Sequence, residues 1–182
     1  MYFVPKTIRL KDGRQALLRS PEPQRDAAEL AAVFQTVCGE TDFLTRGADE
    51  AAVTAQQEEN WIAGMNASPK KLMILCEVEG KIAGMCHLAI GENRRNAHRG
   101  EIGISLLRKY WGLGLGSAMM DELIGAARQK GLSYVELKAI KDNARAVALY
   151  EKKGFVVLHE TPDAQRLPDG TAQTDLFMRK TL

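Results

Sequence analysis

Three glycines that alternate with leucine constrain this chain more than any other feature of its sequence. Gly112, Gly114 and Gly116 follow an alternating segment at 101–107 and precede residues with helical spacing at 117–130. Glycine tolerates backbone angles that other residues avoid, and a helix N-terminus presents unpaired N–H groups at its positive end. The segment therefore predicts a tight strand-to-helix turn, and such a turn is also suited to a phosphate or pyrophosphate.

The spacing of these glycines narrows the choice of phosphate ligand. A P-loop needs a lysine directly after its last glycine, but Ser117 and Ala118 follow Gly116. The dinucleotide fingerprint is G-x-G-x-x-G after a continuously apolar strand, whereas this chain has G-x-G-x-G after a strand of alternating character. Glu136 lies about 20 residues downstream, as the fingerprint requires, but in the middle of a strand. A dinucleotide-dependent oxidoreductase remains the lesser alternative.

The rest of the chain alternates short apolar segments with amphipathic ones, which predicts an α/β sheet of mixed direction. A helix follows Asp26 and ends near Gly39, and turn residues fill 162–170. Strands are predicted at 8–10, 16–19, 72–78, 82–90, 101–107, 134–140, 155–159 and 174–179, and further helices at about 49–65, 117–130 and 144–153.

Composition excludes several classes of protein. A chain of 182 residues with 45% hydrophobic residues and a net charge of +2 predicts one globular domain without a nucleic-acid partner. Three cysteines without a CxxC pair indicate neither a disulfide framework nor a metal site, and they suit a reducing compartment. Because no apolar leader or run of about 18 apolar residues is present, we expect a cytoplasmic protein without a membrane partner.

Residues 101–155 resemble the cofactor-binding core of the GNAT acetyltransferase superfamily. Its members carry Q/R-x-x-G-x-G/A after a splayed strand, and later Asn and Tyr on a helix that ends in Gly-Phe. This chain has the glycine segment that begins at Trp111, then Asn143, Tyr150 and Gly154-Phe155 at matching separations. Trp111 departs from the usual Arg or Gln. The resemblance implies a single domain over 1–182 with a mixed, mostly antiparallel sheet, a central splayed parallel pair and helices on both faces.

The resemblance also implies acetyl-CoA as the cofactor, with coenzyme A as the product. The pyrophosphate would lie on backbone N–H groups of the glycine loop, and the pantetheine arm along the splayed strand and the next helix. The implied contacts are Ser105, Leu106, Leu107, Trp111, Gly112, Leu113, Gly114, Leu115, Gly116, Ser117, Asn143 and Tyr150.

Transfer of an acetyl group to an amine needs a base, because an alkyl ammonium has a pKa near 10.4. Glu101 is the candidate base and His87, on the neighbouring strand, the reserve, although Glu101 also suits an ordinary solvent-facing strand position. Tyr150 occupies the family's position for the acid that protonates the departing thiolate, and its alternative role is a packed aromatic. This chemistry calls for no metal.

The amine that receives the acetyl group is the least determined feature. The loop at 41–43 should contact it, with Phe43 and His87 as candidate substrate residues. Amino acids, polyamines, aminoglycosides and protein N-termini all remain open as acceptors. A coenzyme A-binding module without catalysis is an alternative function, and a homodimer is left open.

Overall fold

A computed structural model describes residues 1–47, 49–50 and 53–182 of the chain. Within these residues the backbone forms eight strands and four α-helices. The strands are β1 (Lys6–Arg9), β2 (Gln15–Arg19), β3 (Lys71–Val78), β4 (Lys81–Ile90), β5 (Arg99–Leu106), β6 (Tyr134–Ile140), β7 (Val156–Arg166) and β8 (Ala172–Thr181). The helices are α1 (Pro23–Glu40), α2 (Ala55–Ala67), α3 (Leu115–Gln129) and α4 (Ala144–Lys152).

All eight strands join one sheet in the order β1-β2-β3-β4-β5-β6-β8-β7. Neighbouring strands in this sheet are antiparallel except β5 and β6, which are parallel and pair from Arg99↔Tyr134 to Glu101↔Glu136. The strands continue past that point without pairing, so the sheet opens between them. The predicted fold class is confirmed, including the splayed parallel pair.

The two faces of β5 carry different helices. Gly116, in the first turn of α3, lies close to Ile104 and Leu106, whereas Gly103 lies against His87, whose ring meets Trp61 of α2. Successive residues of a strand point to opposite faces. Helix α3 therefore covers one face of the sheet and α2 the other. The core is built from the buried apolar residues of both faces, among them Leu88, Leu123 and Phe155.

Helix α1 begins three residues before Asp26, which the sequence suggested as its cap. Asp26 is buried, with a relative exposure of 2%, and accepts a 2.7 Å hydrogen bond from the N–H of Glu22. Its carboxylate also takes two hydrogen bonds from the guanidinium of Arg19, of 2.6 and 2.8 Å. Burial raises the pKa of Asp26, but these hydrogen bonds outweigh it and hold the pKa below its ordinary value. Asp26 thus joins the helix start to β2.

Helix α2 begins at Ala55, six residues later than the sequence prediction. Thr54 accepts a hydrogen bond from the N–H of Gln57, and the Gln57 side chain accepts one from the N–H of Thr54. This reciprocal capping box satisfies two free donors and starts the helix there. Of the segment predicted as helical, Ala51 and Ala52 lie outside the described residues.

Strand β7 continues to Arg166, so the prediction of turns is wrong for 162–166, and the turn lies at 167–170, where the N–H of Gly170 donates to the carbonyl of Leu167. Pro162 cannot donate a hydrogen bond, but β7 is the edge strand of the sheet, where proline is tolerated. The register with β8 shifts between Thr161 and Gln165, and Asp163 takes a positive φ of 53° in that irregular stretch. In the described part of the chain, no helix has the length and apolar character needed to cross a bilayer.

Candidate active site

The glycine loop has the backbone that its sequence demands. Gly112 and Gly114 have φ angles of 77° and 95°, in the region that favours glycine, and Gly114 is the N-cap of α3. The first hydrogen bond of the helix runs from the N–H of Ala118 to the carbonyl of Gly114, at 3.0 Å. The three N–H groups before it, at 115–117, have no partner within the helix. They give this turn the donors and the dipole end that an anion requires.

The N-terminal hairpin of β1 and β2 contacts the glycine loop and α3. The N–H of Lys11, in the turn between β1 and β2, donates a 3.1 Å hydrogen bond to the carbonyl of Leu113. On the same hairpin, the ammonium of Lys6 forms a 2.6 Å ion pair with Glu122 of α3. This contact is not predictable from local sequence patterns, because it joins segments about 100 residues apart.

The opening between β5 and β6 exposes backbone groups of β5. The N–H of Leu107 donates to Ala83, and the carbonyl of Arg99 accepts from Gly91, so odd-numbered residues of β5 turn their backbone groups toward β4. The backbone N–H and C=O groups of Ile104 and Leu106 therefore point toward β6. The pairing of β6 with β5 ends at Glu136, so these groups have no partner on that strand. These groups line an open cleft that leads from the middle of the sheet to the glycine loop.

Trp111 stands between this cleft and the loop. Its indole N–H donates a 2.8 Å hydrogen bond to the carbonyl of Leu106. Two guanidinium groups lie near its ring, that of Arg108 at 5.5 Å and that of Arg145 at 4.0 Å from the ring centroid. Arg145 belongs to α4, so Trp111 links the end of β5 with the helix on the other side of the opening.

Helix α4 carries the two later residues of the resemblance. The side chain of Asn143 accepts a 3.2 Å hydrogen bond from the N–H of Ala146 and caps the helix. Tyr150 is buried and its ring lies 6.1 Å from that of Phe155. Its hydroxyl has no hydrogen-bond partner among the described residues. Burial raises the pKa of Tyr150 to about 12, so the phenol stays protonated at neutral pH.

Glu101 and His87 share the face of the sheet that α2 covers. Glu101 is exposed and pairs with Ala89 of β4. His87 lies two residues before Ala89 on β4 and pairs with Gly103. Burial lowers the pKa of His87, while the charge of Glu101 acts in the opposite direction. Nδ1 of His87 is fully buried and has no hydrogen-bond partner among the described residues. His87 is therefore a neutral ring with an unused nitrogen beside the candidate base.

A cavity of about 270 Å³ lies where the end of α1 meets the turn after β5. It is lined by Gly39, Glu40, Thr41, Asp42, Phe43, Arg108 and Trp111. Glu40 accepts a 2.6 Å hydrogen bond from the N–H of Arg108, which joins the two walls. Phe43, a candidate substrate residue, thus lines the same cavity as Trp111. The sequence did not single out Arg108.

A second cavity, of about 450 Å³, lies on strands β6, β7 and β8. Lys138, His159 and Phe177 contribute to it, with the rings of His159 and Phe177 stacked at 5.0 Å. None of the candidate residues from the sequence lines it. Within the described residues, no group of three or more histidine, cysteine or acidic side chains is placed to hold a metal.

A splayed parallel pair, with a glycine turn at a helix N-terminus beside it, defines an acyl-coenzyme A-binding fold of the acetyltransferase class. Residues 38–155 match the acetyltransferase (GNAT) family, and the chain belongs to that family. Members of the family bind acetyl-CoA. Glu136, considered above for a dinucleotide, instead forms ion pairs with Arg179 and Arg99.

Known relatives agree with this assignment. An acetyltransferase of the GNAT family from Streptococcus pneumoniae superposes with a TM-score of 0.85 at 31% identity, over 92% of this chain and 99% of that one. An acetyltransferase from Salmonella typhimurium, solved with its cofactor acetyl-CoA, has the same fold, with a TM-score of 0.79 at 18% identity over 91% of this chain and 92% of that one.

Two curated relatives match over shorter stretches. Mycothiol acetyltransferase of Paenarthrobacter aurescens is 32% identical over 58% of this chain, and the L-amino acid N-acetyltransferase AaaT of Escherichia coli is 27% identical over 48%. The matched stretches span about a third of the first relative and about half of the second, 32% and 54% of their lengths.

Proposed function

We propose that residues 1–182 form a single-domain N-acetyltransferase, which moves an acetyl group from acetyl-CoA to a primary amine of a small molecule or a protein N-terminus by direct attack. The observation that carries the proposal is the open cleft between β5 and β6, which ends at the bare N–H groups of the glycine loop. Bound acetyl-CoA would supply the activated thioester carbonyl that an amine can attack.

The residues of the cleft fit this cofactor. The N–H groups at 115–117 and the positive end of α3 suit its pyrophosphate. The N–H of Leu106 and the backbone groups of Ile104 face the opening, so they suit the amides of its pantetheine arm, which would bind there in the way a neighbouring strand does. Ser105 and Leu107 turn their backbone to β4, so we assign them contacts through their side chains. Asn143 and Tyr150 would line the opposite wall.

Glu101 and His87 are the proposed means of removing a proton from the attacking ammonium. Glu101 is exposed and offers a free carboxylate, directly or through water. His87 is the second candidate, because burial lowers its pKa and so keeps the ring neutral. Both lie on the same face of the sheet, where Glu101 is exposed and the His87 side chain is half-buried.

Tyr150 is the proposed acid. A phenol with a pKa of about 12 remains protonated, and its hydroxyl has no hydrogen bond within the described residues, so its proton is available to a departing thiolate. The N–H of Leu106 points into the same opening and can stabilise negative charge on a carbonyl oxygen during attack. Phe43 and His87 are proposed to contact the amine. The three free cysteines support a cytoplasmic location, and a homodimer stays a prediction.

The test combines cofactor binding with turnover. We expect acetyl-CoA to raise the melting temperature, NAD and FAD to leave it unchanged, and an amine panel to release free thiol from acetyl-CoA. Stabilisation without thiol release would point to a binding module without catalysis. No stabilisation at saturating acetyl-CoA would refute the proposal altogether.

A further inference from the structure

The cavity beside Phe43 has charges of both signs that do not neutralise each other. Arg108 is exposed, lies near the Trp111 ring and has no ion-pair partner among the described residues. Asp42 lines the same cavity, and in the described part of the chain it too lacks a hydrogen bond or ion pair. A guanidinium and a carboxylate that share a small cavity without pairing can each accept a ligand group of opposite charge.

From this arrangement we infer that the acceptor is a free α-amino acid or a close analogue. Its carboxylate binds Arg108, and its ammonium is drawn in by Asp42 and Glu40 before deprotonation. The inference rests on the proposed function, since it names the substrate of the same site. Guanidinium is suited to this role because its donors match the two oxygens of a carboxylate.

The size of the cavity agrees with a small zwitterion. Its volume of about 270 Å³ lies just below the range of about 300–1,000 Å³ that is typical of ligand pockets, which suits a ligand as small as a single amino acid. Phe43 and Trp111 add aromatic surface that an apolar side chain can contact. A longer acceptor would have to extend out of the cavity.

The same charges disfavour the other acceptors that the sequence left open. Polyamines and aminoglycosides can pair with Asp42 and Glu40, but they carry no carboxylate and so leave the Arg108 guanidinium without a partner. A peptide N-terminus has no carboxylate next to its amine, so it leaves Arg108 unpaired in the cavity. Charge-assisted hydrogen bonds are roughly twice as strong as neutral ones, so an acceptor without a carboxylate should bind more weakly.

The cavity adjoins the proposed reaction cleft. Trp111 forms its wall and donates its indole N–H to the carbonyl of Leu106, which belongs to the cleft. The hydrogen bond from the N–H of Arg108 to Glu40 keeps the end of α1 beside the same strand. An amino acid held by Arg108 would therefore lie at the open side of β5.

The experiment compares amino acids with matched analogues in the thiol-release assay. Each of several L-amino acids is tested beside its primary amide, which keeps the shape but removes the negative charge, and beside its decarboxylated amine. We expect kcat/KM for the amino acid to exceed that for either analogue by about 10- to 100-fold. Arg108→Gln should lower kcat/KM for the amino acid by a similar factor and leave the amide unaffected.

Lys109→Gln is the control variant, since it removes the same charge one residue away and Lys109 does not line the cavity. It should retain the full preference for amino acids. Equal use of amides and amines by the wild type, or an equal loss for acid and amide in Arg108→Gln, would overturn the inference and leave the acetyltransferase function standing. If no amine of any class releases thiol, the proposed function fails, and the inference fails with it.

Discussion

Gly103→Ala tests the contact that shapes the α2 face of the site. A Cβ at position 103 would lie 2.9 Å from Nδ1 and 3.0 Å from Nε2 of His87, and the ring would have to move. Overpacking of this kind costs about 1–3 kcal/mol, while replacing a strand glycine by alanine returns roughly 0.5–1 kcal/mol. We expect a net destabilisation of about 1 kcal/mol, or about 2–4 °C in melting temperature for a chain of this size.

The double-mutant cycle with His87→Ala separates crowding from a general effect of the substitution. In that background the new methyl group has space, so Gly103→Ala should become neutral or stabilise by roughly 0.5–1 kcal/mol. Urea unfolding of the four proteins gives the coupling energy, expected at about 1–3 kcal/mol. If Gly103→Ala changes the free energy of unfolding equally in both backgrounds, within about 0.5 kcal/mol, the reasoning is refuted.

Three further predictions concern the loop, the acid and the buried ion pair. Gly114→Ala, at a φ of 95°, should cost about 1–2 kcal/mol and weaken acetyl-CoA binding in a thermal-shift titration, whereas Gly125→Ala, mid-helix with nothing within 4 Å, should not destabilise. Tyr150→Phe should lower kcat about 100-fold while the dissociation constant of acetyl-CoA stays within about threefold; unchanged kcat would exclude it as the acid. Asp26→Asn should cost about 3 kcal/mol at pH 7, because it removes one charge of a buried pair with Arg19. Since the folded-state pKa of Asp26 is lowered, this stabilisation is present above the unfolded pKa of about 3.9 and lost as pH falls through the folded value; an effect independent of pH would contradict it.

The parts of the fold that depend on local patterns were predictable from the sequence. The strands at 8–10 and 16–19, the alternating strand at 101–107 and the helix at 144–153 all rest on patterns among neighbouring residues, and the structure confirms them. The start of α2 was predictable too, because Thr54 and Gln57 have capping-box spacing. The alanines and acidic residues before them also favour a helix, so the predicted start lies too early.

The parts that depend on distant segments were not predictable. Nothing in the residues around Leu113 indicates that the N–H of Lys11 will bind its carbonyl. The charges that surround the Phe43 cavity come from the end of α1 and from Arg108, which meet only because of the fold. The catalytic roles of Glu101 and Tyr150 stay predictions.

The short parallel contact between β5 and β6 divides the sheet into two groups of strands. In the described part of the chain, three residue pairs join the first five strands to the last three, and α3 contacts strands of both groups. Local opening of a native protein follows such weakly joined units, and amide hydrogen exchange detects it. Backbone amides beside the opening should therefore exchange faster than those inside either group. A ligand bound in the opening would slow that exchange by joining the two groups of strands. The exchange rates of these amides would therefore show whether the site is occupied.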